Sequence, residues 1–397
     1  MDKGIMDNIL INALTIRNLL SFGSDTGKIP LKPLNVIIGP NGSGKSNLIE
    51  IISLFQAMSK DLKLPVRKGG GIMDWLWKGE KDPIAAIAAD VKCLPFMRDD
   101  LFLRHSISFT AVNQRFELID ECIENSGPGP GEKDACFYYR YENNHPVLNV
   151  KSGKQTLRRE SVDPEQSILS QRKDPDQYPE LTWLGEQFGR IKIYREWIFG
   201  RYAPLRQPQE SDAPNDYLEE DCRNLGLVLN SIKKTPRIKR RIIELLGEFY
   251  EGIEDFDVSI EGGSVQLFLT EGDFSIPATR LSDGTLRYLC LLAVLCHPKP
   301  PPLICIEEPE LGIHTDIIPV LATLLKEAAT RTQLIVTTHS EALVDELSDT
   351  PDSILVCEKK QGCTEFKRLE TDDLKDWLKK YSLGELWRKG EIGGNRW

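Results

Sequence analysis

The chain has 397 residues, of which 40% are hydrophobic and 28% charged, with a formal net charge of −10. That length admits one large domain or two to three ordinary ones, and the composition suits a globular protein able to bury a sizeable core. The acidic balance argues against a broad basic surface coating nucleic acid. No apolar run reaches bilayer length, and the N-terminus shows no signal-peptide core.

Residues 1–11 are expected as a poorly ordered lead-in. Ala13 to Phe22 alternates and predicts a first strand, closed by a turn at Gly23–Gly27. Leu34 to Ile38 predicts a buried strand. Gly39, Pro40, Asn41, Gly42, Ser43, Gly44, Lys45 and Ser46 follow it and fit the pattern G-x-x-x-x-G-K-[ST] at every fixed position. Asn47 then opens a predicted helix through Phe55. Glycines let successive N–H groups point at phosphate oxygens, and a helix N-terminus favours negative charge there. Lys45 is expected on the β- and γ-phosphates and Ser46 on Mg2+, so the chain is expected to bind a nucleoside triphosphate.

The three glycines at 69–71 predict a mobile connector before the aromatic Trp75–Trp77 segment. From Ile84 to Val147, short alternating segments separated by turns such as Gly127–Gly131 predict an antiparallel meander continuing the first strands. Residues 164–251 are expected to be predominantly helical, broken by prolines near 204–208. The basic run from Lys233 to Arg241 is a candidate phosphate-contacting patch, although such runs are more often a solvated helix face. A hairpin is expected across Gly262-Gly263, then alternating helix and buried strand up to Leu355, and a pair of short amphipathic helices over 372–387. No heptad run predicts a coiled-coil arm. Nine cysteines, scattered without a C-x-x-C pair, suggest buried thiols in a reducing, cytoplasmic setting.

Three later stretches narrow the chemistry. Leu303 to Glu308 is an apolar strand ending in two carboxylates. Glu307 is placed to hold Mg2+ through its water shell, and Glu308 to polarise the water attacking the γ-phosphate. Ser282 sits where the cap of a strongly apolar helix belongs, with Gly284 leaving the backbone uncrowded, an anion site able to accept a γ-phosphate. Leu334 to Thr338 is a buried strand running into His339, which can sense a γ-phosphate by hydrogen bonding.

Taken in order, Gly39–Ser46, Leu281–Thr285, Glu307–His314 and Thr337–Ser340 resemble the motif set of ABC-type ATPase heads. The resemblance is to the soluble branch of RecF, SMC heads and the ATPase part of the overcoming-lysogenization-defect nucleases. Within it, the chain looks like the stand-alone "AAA domain, ABC-like" ATPases. The resemblance implies an α/β fold with a mixed central sheet, an antiparallel β subdomain and a helical signature lobe. It implies one head over residues 1–397: a phosphate-loop and β lobe (about 12–150), a helical lobe with the signature (about 151–285), and a Walker B and switch core with C-terminal helices (about 286–397).

It further implies a Walker A at Gly39–Ser46, a signature at Ser282–Gly284, a Walker B acid at Glu307, a catalytic Glu308 and a switch His339. Gln171 is the candidate for the Mg-sensing glutamine of this class. The Walker B acid is Glu rather than the commoner Asp, and Asp283 replaces a signature glycine. With ATP and Mg2+ as ligands, such heads dimerise around two shared ATP sites. The expected role is an ATP-driven switch or clamp in DNA repair or anti-phage defence, with an effector nuclease or other chain and DNA as candidate partners and no membrane. The alternatives are a transporter ATPase subunit and an ATPase partner of a nuclease without DNA contact of its own. No acidic cluster resembles a Toprim nuclease domain.

Overall fold

The alternating run that begins near Ala13 folds as β1 (Ile11–Arg17), with Ile11, Ala13, Leu14 and Ile16 buried. In the computed structural model, residues 8–92, 102–128, 134–142, 145–150, 153–156 and 162–394 are described. The lead-in up to residue 7, and 129–131 of the expected 127–131 turn, lie outside them. The chain divides into two units, the first comprising 1–191, 354–369 and 392–397, the second 192–353 and 370–391.

The first unit continues with β2 (Lys28–Pro30), β3 (Leu34–Ile38), α1 (Lys45–Ala57), α2 (Lys63–Lys68) and α3 (Ile72–Trp75). After them come β4 (Ala85–Lys92), β5 (Phe102–Val112), β6 (Arg115–Asn125), β7 (Phe137–Glu142), β8 (His145–Val150), β9 (Gly153–Thr156), α4 (Ile168–Gln171) and α5 (Pro179–Gly189). Eight strands form one antiparallel sheet in the order β2-β1-β4-β5-β6-β7-β8-β9. The expected meander is therefore present, and it does continue the first strand. Its buried face holds a polar knot: Glu121 accepts from His105 Nε2 (2.9 Å), from the Ser167 hydroxyl and from the Ile168 N–H (2.9 Å). A carboxylate with three partners is tolerated inside a core where an unpaired one is not.

The glycines at 69–71 do not form a loose connector. Gly69 and Gly71 donate to the carbonyls of Pro65 and Val66 (2.9 and 2.8 Å), which closes a tight turn. A Cβ on Gly69 would meet Trp75 Nε1 at 2.5 Å, so the turn packs directly on that ring.

The second unit holds β10 (Lys192–Tyr194), β11 (Gln209–Glu210), α6 (Leu225–Ile232), α7 (Pro236–Phe249), β12 (Ile253–Glu261), β13 (Ser264–Glu271) and β14 (Phe274–Pro277). It continues with α8 (Asp283–Leu295), β15 (Leu303–Glu307), α9 (Ile318–Ala329), β16 (Gln333–Thr337), α10 (Glu341–Asp345), α11 (Thr371–Leu374) and α12 (Leu383–Arg388). β10, β15 and β16 run parallel. β12 and β13 form the expected hairpin, and Gly262 and Gly263 both have positive φ (58° and 81°), the conformation that a two-residue turn of this hand requires.

The helical character expected over 164–251 appears as α4–α5 and α6–α7 at its two ends, with a single 3-10 turn at Pro204–Arg206 between them. Between them, residues 195–224 are mostly turns, because Pro204, Pro208 and Pro214 leave no uninterrupted 3.6-residue apolar stripe. The chain returns to the first unit as β17 (Ile354–Lys360), parallel to the fully buried β3, and β18 (Cys363–Arg368), antiparallel to β17. Among the described residues no helix is long and apolar enough to cross a membrane, and eight cysteines are free thiols.

Candidate functional site

In the first unit, β3 delivers the chain into Gly39 and α1 leaves from Lys45, with Gly39, Gly42 and Gly44 at φ of 153°, 77° and 112°. A Cβ on Gly39 would meet the Cys357 carbonyl oxygen at 2.2 Å, and one on Gly44 would meet Thr364 Oγ1 at 2.1 Å. Glycine is thus required twice by close approach as well as by φ. Lys45 is buried and donates to the carbonyls of Gly39 (2.7 Å) and Pro40 (3.2 Å). No side chain caps α1 and no acid lies in its first turn. Its N-terminus therefore offers backbone N–H groups and positive dipole charge with nothing anionic competing, which fits a phosphate chain. Ser46 is exposed on that first turn, as are Asn41 and Gly42 at the tip of the loop.

The loop is pinned from behind by hydroxyls. Thr364 Oγ1 donates to the Ser43 carbonyl (2.6 Å) and accepts from the Ser21 hydroxyl (2.6 Å), whose oxygen in turn accepts from Asn47 Nδ2 (2.6 Å). Ser21 and Thr364 were not legible as site residues, because they sit far away in sequence and belong to no motif. Beneath the loop, burial pushes the Cys357 thiol up to about 11, which leaves it a packing residue rather than a nucleophile.

Gln171 lies at the end of α4 with both ends of its amide engaged locally. Its oxygen accepts from the Asp163 N–H (2.7 Å) and its nitrogen donates to the carbonyls of Asp163 (3.1 Å) and Gln166 (2.9 Å). In this geometry it closes the 163–171 loop.

In the second unit, β15 and β16 pair so that Glu307 lies beside Thr337. The next residue, Glu308, turns into the left-handed region (φ 46°), with its N–H donating to the Thr337 carbonyl (3.0 Å). A non-glycine residue there is strained and marks a position whose surroundings dictate its backbone. Its carboxylate lies 3.8 Å from His339 Nε2, so the two strand ends present an acid and an imidazole to the same space. Both side chains are about one-third exposed.

Ser282 caps α8, accepting from the Thr285 N–H (3.0 Å). The hydroxyl thus takes the capping position the sequence suggested. Asp283 turns aside to Arg206 and to the Gly200 N–H (3.0 Å), while Arg206 also donates to the carbonyls of Ala278 (3.0 Å) and Leu281 (2.7 Å). A Cβ on Gly284 would meet the Gly312 carbonyl oxygen at 3.0 Å, so the turn after Glu310 lies directly against the start of α8.

One turn further along, Arg287 donates to the Glu308 carbonyl (2.7 Å) and lies over the rings of Trp197 and Phe199 (5.1 and 5.8 Å). Burial lowers its guanidinium from the ordinary value, opposed by the charges of Glu310 and Glu308. Trp197 Nε1 donates in turn to the Glu307 carbonyl (3.1 Å). Arg287 stands two residues beyond the Leu281–Thr285 stretch and Glu310 inside the Glu307–His314 stretch, yet neither position shows its role without the fold.

The basic run proves to be partly neutralised. Lys233 pairs with Asp257 (2.9 Å), Lys239 with Asp255 (2.8 Å), and Arg241 with Glu327 (3.7 Å). Lys234, Arg237 and Arg240 are exposed.

In the first unit a buried strand runs into a glycine-rich loop and a helix, and in the second a pair of parallel strands ends at two acids and a histidine. The chain belongs to the family described as "AAA domain, putative AbiEii toxin, Type IV TA system", whose model matches residues 34–345. Its fold is similar to that of an SMC head bound to the C-winged helix domain of ScpA (TM-score 0.56, 17% identity, covering 92% of this chain and 99% of that one). It is also similar to the Pyrococcus furiosus Smc head with an extended coiled coil, bound to the C-terminal domain of ScpA (0.58, 15%, 94% and 99%), and to the Pyrococcus yayanosii Smc head with a coiled coil and joint (0.51, 12%, 94% and 99%). At these identities the likeness is one of fold. No curated protein matches the chain.

Proposed function

We propose that this head binds and hydrolyses ATP with Mg2+ and dimerises when ATP is bound, acting as a switch that drives a partner effector in DNA repair or anti-phage defence. Gly39 to Asn47 hold the phosphates, Lys45 contacts the β- and γ-phosphates, and Ser46 and Glu307 hold the metal. Bound there, Mg2+ neutralises phosphate charge. Glu308 accepts a proton from the attacking water and polarises it, and His339 donates a hydrogen bond to the γ-phosphate. Ser282 and Gly284 of one copy meet the γ-phosphate held by the other, at a helix N-terminus suited to an anion.

The observation that carries this reading is the left-handed Glu308, with its carboxylate 3.8 Å from His339 at the ends of paired parallel strands. The family's description as a putative toxin of a Type IV TA system supports a defence role, and the solved SMC heads bound to ScpA domains are a precedent for a partner chain.

The test is a Glu308→Gln protein sized with and without ATP and duplex DNA. ATP-dependent dimers support the switch, and a size indifferent to ATP overturns it. Lys45→Ala serves as the control, since it removes the loop's fixed side-chain cation and should abolish ATP binding by calorimetry. Unchanged affinity in that control would sink the phosphate-loop assignment.

The pairing of Lys233, Lys239 and Arg241 with acids favours a second reading of the partner question: the head contacts an effector chain and makes no DNA contact through α7.

A further inference from the structure

Glu308 and His339 are carried by different strand ends, so their separation depends on what fixes each turn. On the Glu308 side the hold is clear, from the Thr337 carbonyl, the Arg287 guanidinium and the Leu311 N–H, which donates to the Glu308 carbonyl at 3.1 Å. On the His339 side one carboxylate makes two of the contacts. Glu310 Oε1 accepts from the Thr338 hydroxyl (2.6 Å) and from the His339 N–H (3.1 Å), and the same hydroxyl accepts from the Ser340 N–H (3.0 Å). Thr338 is completely buried. Ser340 then caps α10 through the Leu343 N–H (3.2 Å), so the turn is fixed at both ends.

We propose that Glu310 is a positioning residue: it reaches from the turn after Glu308 to the turn bearing His339, and so sets the Glu308–His339 geometry. The proposal rests on the ATPase reading above and deepens it. Three features make Glu310 suited to this. It is two residues from Glu308 in a turn closed by the Leu311 and Ile313 N–H groups, so its backbone moves with that glutamate. Its side chain ends in an oxygen that can accept from both an O–H and an N–H donor. Its two donors are a buried hydroxyl and the His339 backbone N–H, so losing the carboxylate takes the acceptor from that hydroxyl and removes one of the bonds that hold the turn carrying the imidazole.

Displacing a reacting group by about 1 Å can cost about a hundredfold in rate. Glu310→Ala should therefore lower kcat by about ten- to a hundredfold, while KM and the dissociation constant for ATP stay within about threefold. Glu310→Gln keeps an oxygen acceptor in place and should retain most of the rate. Thr338→Val removes the hydroxyl alone and should lose activity in the same direction as Ala. Wild-type kcat in Glu310→Ala overturns the proposal, and so does a Gln variant as impaired as Ala, which would assign the role to charge rather than to anchoring.

A second measurement does not depend on turnover. The chain has five histidines, so the His339 ring signal can be identified by its loss in His339→Gln. Glu308→Gln should move that signal in the wild-type background and leave it unmoved in the Glu310→Ala background. An equal movement in both backgrounds overturns the anchoring role. Absence of ATP turnover in the wild type would count against the proposed ATPase, whereas the ring-signal result would still decide the role of Glu310.

Discussion

Thr364 Oγ1 donates to the Ser43 carbonyl at 2.6 Å, a buried bond between residues 321 positions apart. It ties the buried Ser43 of the phosphate loop, rather than the exposed tip at Asn41 and Gly42, to β18. Thr364→Val keeps the shape and removes the donor, leaving a buried carbonyl unsatisfied. ATP affinity should fall by about 1 to 2 kcal/mol, roughly five- to thirtyfold in Kd by calorimetry. An unchanged Kd would show that the loop holds its form without this bond.

Glu308→Gln keeps the side-chain shape but removes the carboxylate proposed to polarise the attacking water. Hydrolysis should drop by about a hundredfold or more while ATP stays bound. Ser282→Arg should leave the ATP affinity of a single subunit nearly intact yet block dimerisation and turnover. Mixing Lys45→Ala with Ser282→Arg protein creates one composite site with an intact loop and an intact signature, and weak regained hydrolysis is expected from it. Full activity of Ser282→Arg alone refutes a signature that acts across subunits.

Asp90 is nearly buried on β4. Burial alone would raise its carboxyl, but hydrogen bonds from Arg104 (2.7 and 3.1 Å) and from Lys28 outweigh it and hold the group below the ordinary aspartate value. A depressed carboxylate contributes stability above its unfolded value, about 3.9, and loses it as pH falls through the folded value. Asp90→Asn should therefore lower stability near pH 7 by about 1 to 3 kcal/mol and flatten the stability–pH curve below about pH 4. Urea unfolding across that pH range checks both effects.

The exposed cations of the basic run, Lys234, Arg237 and Arg240, are the ones free of the ion pairs to β12 and α9. Reversing all three to Glu should leave retention of duplex DNA unchanged, as measured by fluorescence anisotropy over a salt series. A loss of binding together with a flatter salt slope would place phosphates on α7 after all. Reversing Lys239 instead would set a carboxylate against Asp255 and confuse the readout with destabilisation.

The elements that could be read in advance were those whose signal is local. Strand β3, the loop and α1 follow from an apolar run, glycine spacing and a helical stripe, and the Gly262-Gly263 hairpin follows from its turn residues. The eight-stranded meander was legible from alternation, since each strand pairs with a near neighbour in sequence. What escaped was long-range. Glu310, Arg287 and Thr364 act on backbone atoms of other elements, and a hydrogen bond to a distant carbonyl leaves no periodic trace. The turns at 195–224 were misjudged because prolines forbid helix without saying what replaces it, and the glycines at 69–71 because turn closure depends on Trp75 beneath them.

Helix α8 is buried at every residue from Thr285 to Leu295, so it has no solvent face along which to slide or tilt. Interiors this dense are stiff and pass displacement on rather than absorbing it. Ser282 is therefore the tip of a rod set in the packed core of its unit. A force applied at that tip is borne by the whole core, and the rod's next turn carries Arg287 to the Glu308 carbonyl.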